Sequence, residues 1–106
     1  MEKTYLICKR VKYLSSLDED HFFLWLNKID CFDEISFFHD SIEITLVSTV
    51  NDDCLREIVA LFYRYKIDMT QLCKLLTEGN RHWFFENKKA YWHCRVFKKP
   101  VPIGSS

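Results

Sequence analysis

The sequence contains few residues that interrupt regular structure. Of its 106 residues only two are glycine and two are proline, and both prolines and one glycine lie in the last seven positions. Because glycine and proline mark turns and long loops, we expect mostly regular structure with short connections in the body of the chain. A phosphate-binding loop or a dinucleotide-binding fingerprint needs closely spaced glycines. The shortage of glycine therefore argues against a nucleotide-dependent enzyme.

The chain also lacks a net charge and a long apolar run. It has 15 basic and 15 acidic residues, so no overall field attracts it to nucleic acid or to an anionic membrane. No window approaches the roughly 18 apolar residues of a membrane span, and the first residues, MEKTYLICKRVKYL, lack the apolar core of a secretory signal. We expect a cytoplasmic protein without a membrane segment.

The five cysteines show no metal-binding or redox pattern. They are spread along the chain without a C-x-x-C pair, and an odd number cannot all pair within one chain. We predict that all are reduced thiols that fill apolar space, in agreement with a cytosolic location. They are Cys8, Cys31, Cys54, Cys73 and Cys94.

The first third of the chain predicts a strand and a helix. The stretch 4–13 interleaves β-branched and aromatic residues with basic ones, which is typical of a strand with one face in water. Ser16 and Glu19 have the S-x-x-E spacing of a capping box, which indicates that a helix begins there. Its apolar residues recur at helical spacing: Phe22, Trp25, Leu26 and Ile29.

Residues 31–48 alternate between apolar and polar side chains with a period of two, which predicts a hairpin with a turn at 39–40. In that register two apolar pairs form across the hairpin, Phe37 with Ile42 and Ile35 with Ile44. The polar side chains then share the opposite face. These are Glu34, Ser36, Glu43 and Thr45.

Two further helical segments follow. Asn51 is a predicted N-cap before an apolar stripe, whose members are Leu55, Ile58, Val59, Phe62 and Tyr65. Asp68 and Gln71 again have capping-box spacing and predict a shorter helix that Gly79 closes. The pattern leaves open whether these helices are separate or form one kinked unit.

The stretch RHWFFENKKAYWHCRVF, residues 81–97, holds six aromatic rings and two histidines. A turn at 87–88 predicts a second hairpin that pairs His82 with His93. One face is then apolar, with Trp83, Phe85, Ala90, Trp92, Cys94 and Val96. The other is amphipathic and is the predicted contact surface, with His82, Phe84, Glu86, Tyr91, His93 and Arg95.

These elements predict an α+β fold with a mainly antiparallel sheet and two or three helices packed on one face. A ferredoxin-like plait variant with a C-terminal hairpin is the nearest plan. We expect residues 1–99 to form a single domain and residues 100–106 to be an extended or frayed tail.

No catalytic or metal-binding set is predicted. His82 and His93 would supply only two ligands, without the spacing of a known metal motif. Cys94 follows His93 but would point to the opposite face of a strand, so the pair does not suggest a nucleophile and its base. We expect no catalytic residues, no metal and no cofactor, and hence a protein that is not an enzyme.

In its size, its α+β layout and its richness in cysteine and aromatic residues over 1–99, the chain resembles the small bacterial immunity proteins of the contact-dependent growth inhibition and polymorphic toxin type. No diagnostic motif carries the likeness, so no residue role is transferred. The resemblance implies a cytoplasmic antitoxin that binds a cognate toxin, often a nuclease domain.

Seven residues are predicted to contact the partner. Glu34, Glu43 or the acidic stretch 18–20 would face a basic nucleic-acid cleft, and five residues would anchor the complex: His82, Phe84, Tyr91, His93 and Arg95. The alternative is a nucleic-acid-binding regulator. It would use aromatic rings and a basic stripe formed by neighbouring first and last strands.

Overall fold

The computed structural model describes residues 3–47 and 49–97 and shows an α+β fold. Three strands and two longer helices come first in the chain, followed by one 3-10 helix and two single-turn helices. In order they are β1 (Thr4–Lys9), α1 (Ser16–Asn27), β2 (Phe32–Phe37), β3 (Ser41–Leu46), α2 (Asp52–Arg64), the 3-10 helix (Thr70–Leu75), α3 (Arg81–Phe84) and α4 (His93–Val96). The order as far as α2 matches the first five elements of a ferredoxin-like plait. None of the helices in the described residues is long and apolar enough to cross a bilayer.

The sheet is antiparallel with the strand order β1-β3-β2. Phe37 is opposite Ile42 and Ile35 is opposite Ile44, which confirms the predicted register of the first hairpin. Apolar residues of the sheet enter the core on one face, but the alternation is incomplete: Thr45, predicted on the polar face, is buried, and Phe37, predicted on the apolar face, is exposed. The buried members include Leu6, Cys8, Ile44 and Leu46.

Side-chain caps fix the starts of both longer helices. Asn51 caps α2 as predicted, and its side-chain oxygen accepts a hydrogen bond from the amide of Cys54 at 2.8 Å. For α1 the cap is one residue earlier than predicted. Ser15 Oγ accepts from the Asp18 amide at 3.2 Å, and Asp18 Oδ2 accepts from the Leu14 amide at 2.8 Å. Of the two adjacent serines, the one three residues before this aspartate provides the cap, so Ser16–Glu19 is not the capping box.

The helix predicted from Asp68 is separate from α2. The chain leaves α2 through Lys66, whose φ of 56° is left-handed and incompatible with a continuous helix. The later segment is a 3-10 helix that starts at Thr70. Asp68 Oδ1 accepts hydrogen bonds from both the amide and the hydroxyl of Thr70, so it does not reach the amide of Gln71 as a capping box would require.

Two side chains of the 3-10 helix cover the outer edge of β1. The Gln71 side chain accepts from the Ile7 amide at 2.8 Å and donates to the Ile7 carbonyl at 2.7 Å. Lys74 Nζ donates to the Tyr5 carbonyl at 2.6 Å. One primary amide thus satisfies both backbone groups that a neighbouring strand would otherwise pair. At Tyr5 and Ile7 the β1 edge is thus covered without a further strand.

The predicted C-terminal hairpin is wrong. Residues 81–97 form α3, turns and α4, so His82 and His93 are not cross-strand partners. A buried asparagine, Asn80, holds the turn before α3: its side chain accepts from the Thr77 amide and donates to the Leu75 carbonyl. Because it contains so many rings, this stretch has apolar side chains both at every second position, as in a strand, and at helical spacing. Packing against the preceding elements favours the helical conformation.

Because this segment is helical and not extended, several of its side chains have the opposite burial from the one predicted. Phe84, predicted to be exposed, is fully buried, whereas Cys94, predicted to be in the core, is exposed. Trp92 and Val96, four residues apart, are buried as one face of a helical turn requires. The tail predicted for 100–106 lies outside the described residues.

Candidate partner-binding surfaces

The seven residues predicted to bind a partner do not form one surface. Glu34 and Glu43 lie on the sheet face that is turned away from the core, because the apolar side chains of β2 and β3 occupy the other face. Tyr91 and Arg95 belong to the C-terminal segment and contact Tyr63 of α2. The acidic pair and the aromatic group therefore occupy separate parts of the molecule.

Two of the predicted contact residues have structural roles. The centroid of the Phe84 ring lies 5.0 Å from that of Phe97 and 5.4 Å from that of Trp92, and the Phe84 side chain is fully buried. His93 Nε2 lies 2.6 Å from the carbonyl oxygen of Phe85, so this nitrogen donates a hydrogen bond when it carries the proton. Phe84 belongs to the core, and His93 connects α4 to the end of α3. His82 is exposed on α3.

Tyr63, which is not among the seven predicted contact residues, contacts both Tyr91 and Arg95. The centroids of the Tyr63 and Tyr91 rings lie 4.7 Å apart in an edge-to-face arrangement, and Arg95 Cζ lies 4.8 Å from the Tyr63 centroid. Tyr91 remains 56% exposed. Partial desolvation raises the pKa of its hydroxyl, with further contributions from nearby Tyr63 and Glu57. Tyr91 is thus both accessible and held by packing.

A second arginine–aromatic pair lies beside the first. Arg56 Cζ is 4.1 Å from the centroid of a Trp83 ring. Between α2 and the C-terminal segment is a hollow of about 270 Å³, and Arg56, Trp83 and Tyr91 are among its lining residues. We call the group formed by Arg56, Tyr63, Trp83, Tyr91 and Arg95 the helix-side surface.

The sequence carries a partial signal for this surface. Arg56 and Tyr63 are seven residues apart, which places them on one face of α2 beside the buried stripe. Helical periodicity therefore shows that they share a face. What it does not reveal is that the C-terminal segment packs there, because that segment was expected to be a strand hairpin.

Glu34 and Glu43 share one face of the sheet, as the predicted register requires. Glu34 is opposite Thr45 and Glu43 is opposite Ser36, so the two carboxylates are diagonal neighbours. Glu34 is exposed and Glu43 is half-buried. Neither forms an ion pair within the described part of the chain, whereas the adjacent Asp33 is bound by Lys3 at 2.6 Å.

The cysteine and histidine side chains do not gather into a metal-ligand cluster within residues 3–47 and 49–97. No group of three or more potential metal ligands occurs there. Burial raises the pKa of Cys8 to about 12, so this thiol stays protonated at neutral pH. Cys31 and Cys54 are also buried, but Cys73 and Cys94 are exposed, and the prediction that all five fill the interior is wrong for these two.

The basic stripe predicted for nucleic-acid binding is not formed as expected. It required the first and last strands to be neighbours, but β1 is paired with β3 and the C-terminal segment contains no strand among the described residues. The aromatic rings of that segment consequently do not lie on a sheet. Comparisons with protein-family models, with curated proteins and with solved structures gave no match for this chain.

Proposed function

We propose that this chain is a non-enzymatic protein-binding module that recognises its partner through the helix-side surface. The observation that carries the proposal is the exposed Tyr91, held against Tyr63 together with Arg95. Tyrosine, tryptophan and arginine dominate the binding energy of many protein interfaces. A side chain already held by packing also loses less conformational entropy on binding.

The more specific proposal is that the module is a cytoplasmic immunity protein, an antitoxin that neutralises a cognate toxin such as a nuclease domain. Its support is the resemblance in size and α+β layout, together with the carboxylates of Glu34 and Glu43. A nuclease binds the phosphates of its substrate with basic residues, and the exposed carboxylate of Glu34 beside the half-buried one of Glu43 complements such a cleft. The acidic pair would contribute mainly to association rate and partner choice.

The direct test uses the purified chain and the product of the neighbouring gene in the native host. We expect a stoichiometric complex, and we expect expression of this chain to restore growth to cells that express the partner. Tyr91→Ala and Arg95→Ala should each weaken the complex by about tenfold or more, which corresponds to about 1.4 kcal/mol. Isothermal titration calorimetry gives the affinities.

A matched control is Leu17→Ala, which truncates an exposed apolar side chain of α1 outside the helix-side surface. It should leave the affinity within about twofold of the unmodified chain. If all three variants bind equally well, the helix-side surface is not the interface. If a complex forms but growth is not restored, protein binding stands and the antitoxin proposal fails.

A nucleic-acid-binding regulator is the second candidate, and one observation favours it. Exposed tyrosine beside arginine also provides a stacking platform for single-stranded bases. Binding of this kind would weaken steeply with salt. Fluorescence anisotropy with mixed-sequence oligonucleotides at increasing salt concentrations distinguishes the two. Tight, salt-sensitive binding that Tyr91→Ala abolishes would favour the regulator.

A further inference from the structure

The two edges of the sheet differ in how they are covered. At β1, the side chains of Gln71 and Lys74 occupy backbone groups of Ile7 and Tyr5. At β2, the strand order leaves the side opposite β3 without a paired strand among the described residues. An open strand edge is a ready template for another extended chain.

The hairpin register identifies which backbone groups of β2 are available. The Phe38 amide donates to the Ser41 carbonyl at 2.9 Å, so these two residues form a hydrogen-bonded pair beside the turn. Because hydrogen-bonded and non-hydrogen-bonded pairs alternate in an antiparallel ladder, Ser36 pairs with β3 while Ile35 and Phe37 do not. The N–H and C=O groups of Ile35 and Phe37 therefore point outward from the sheet.

The side chains beside this edge differ on its two faces. On the helix side, Ile35 is half-buried and Phe37 is 66% exposed. The centroids of the Phe37 and Phe23 rings are 6.0 Å apart. On the opposite side, Glu34 is exposed at the edge and Glu43 lies one strand further in, both without an ion pair in the described part of the chain. One face thus offers apolar contacts, and on the other the carboxylates of Glu34 and Glu43 add to the Asp33–Lys3 ion pair and leave a net negative charge.

We propose that the β2 edge binds an extended segment of the partner protein as an added antiparallel or parallel strand, and that this segment alternates apolar with basic residues. Its backbone would pair with Ile35 and Phe37. Its apolar side chains would contact the Phe37 side, and its lysines or arginines would meet Glu34 and Glu43. The inference deepens the proposed function and rests on the chain binding a protein.

The charge at the edge also argues against a second copy of this chain as the occupant. Pairing two β2 edges would place two copies of Glu34 and of Glu43 on one sheet face, whereas the bulge residue Asp33 is already bound by Lys3. Like charges brought together across strands are destabilising. A basic strand instead supplies the counter-charge, so the acidic residues select a heterologous partner and disfavour self-association.

The test uses a defined probe and the full-length chain. The probe is a seven-residue peptide of alternating valine and lysine, and the control peptide replaces each lysine with glutamate. Amide hydrogen exchange followed by NMR reports on individual residues of β2. With the valine–lysine peptide in excess, exchange at Ile35 and Phe37 should slow by at least about fivefold. The Ser36 amide, which is already paired with β3, serves as the internal reference and should change less.

Charge variants test the selectivity. Glu34→Lys should weaken binding of the valine–lysine peptide by about fivefold or more and improve binding of the valine–glutamate peptide. Glu78→Lys makes the same substitution at an exposed carboxylate in the turn before α3 and should have no such effect. Ile35→Pro, which removes an outward N–H from an edge strand, should abolish protection at Phe37. The exchange result on the unmodified chain does not depend on whether this last variant folds.

Three outcomes would overturn the inference. The first is unchanged exchange at Ile35 and Phe37 with saturating peptide. The second is equal binding of the basic and acidic peptides. The third is protection already present without peptide and lost on deletion of residues 98–106, which would show that the chain's own tail occupies the edge. Because the probe is independent of the natural partner, failure of Tyr91→Ala to affect partner affinity would refute the helix-side proposal and leave this result intact.

Discussion

Truncation of Phe84 separates the observed packing of the C-terminal segment from the predicted hairpin. In the hairpin this ring would be solvent-exposed, and its removal would have little effect on the free energy of unfolding. In the structure it is fully buried between Trp92 and Phe97. A buried phenylalanine removes roughly 150–250 Å² from water, which corresponds to about 4–6 kcal/mol at about 25 cal/mol per Å². Phe84→Ala should therefore lower the free energy of unfolding by about 3–5 kcal/mol.

The measurement is urea-induced unfolding followed by tryptophan fluorescence and by circular dichroism. For a domain of this size a loss of about 3–5 kcal/mol lowers the urea midpoint by about 2 M or more. Phe84→Leu keeps most of the volume and should lose about 1 kcal/mol. Tyr91→Ala, at a 56% exposed ring, should also lose about 1 kcal/mol or less. A loss below about 1 kcal/mol for Phe84→Ala, with a larger loss for Tyr91→Ala, would refute the observed packing.

Three further predictions follow from side chains outside that segment. Gln71→Leu removes both hydrogen bonds to the β1 edge, so the free energy of unfolding should fall by about 1–3 kcal/mol and association detected by analytical ultracentrifugation should increase. Hydrogen bonds from the Leu14 amide and the Tyr65 hydroxyl lower the pKa of Asp18. The stabilisation that this carboxylate contributes is therefore present above its unfolded pKa and is lost as the pH falls through its folded pKa. Tyr65→Phe should raise the pKa of Asp18 in an NMR titration and reduce the loss of stability in acid. Under native conditions, iodoacetamide should label Cys73 and Cys94 well before the three buried thiols, as mass spectrometry of peptides would show; faster labelling of a buried thiol would contradict the observed core.

Among the described residues, side chains cover the β1 edge at Tyr5 and Ile7, and no strand pairs with the outer edge of β2. The Gln71 side chain satisfies the outward amide and carbonyl of Ile7 on β1, whereas no described strand pairs with the outward groups of Ile35 and Phe37 on β2. A partner that bound both β2 and the helix-side surface would have to contact separate parts of the molecule. Measuring Tyr91→Ala and Glu34→Lys singly and together would show by additivity whether the two regions act independently.

The sequence was sufficient for the register of the first hairpin and for the positions of the two longer helices. The register of the first hairpin followed from alternation, because a shift of one residue would turn Ile35 and Ile44 away from the core. Asn51 and the apolar stripe after it identified α2 because the side-chain cap and the helical period agree. The cap of α1 was misplaced by one residue, since adjacent serines offer the same local chemistry and the aspartate at position 18 decides between them.

The sequence by itself determined the α+β class and the shared face of Glu34 and Glu43, because both depend on local periodicity. Only the tertiary structure decided the C-terminal segment and, with it, the helix-side surface. A run so dense in aromatic rings fits a period of two or of 3.6, and its local pattern contains no preference strong enough to choose. Tertiary packing determines the conformation of this segment, because Phe84 and Trp92 are buried in the interior and Tyr63 of α2 contacts Tyr91 at the surface.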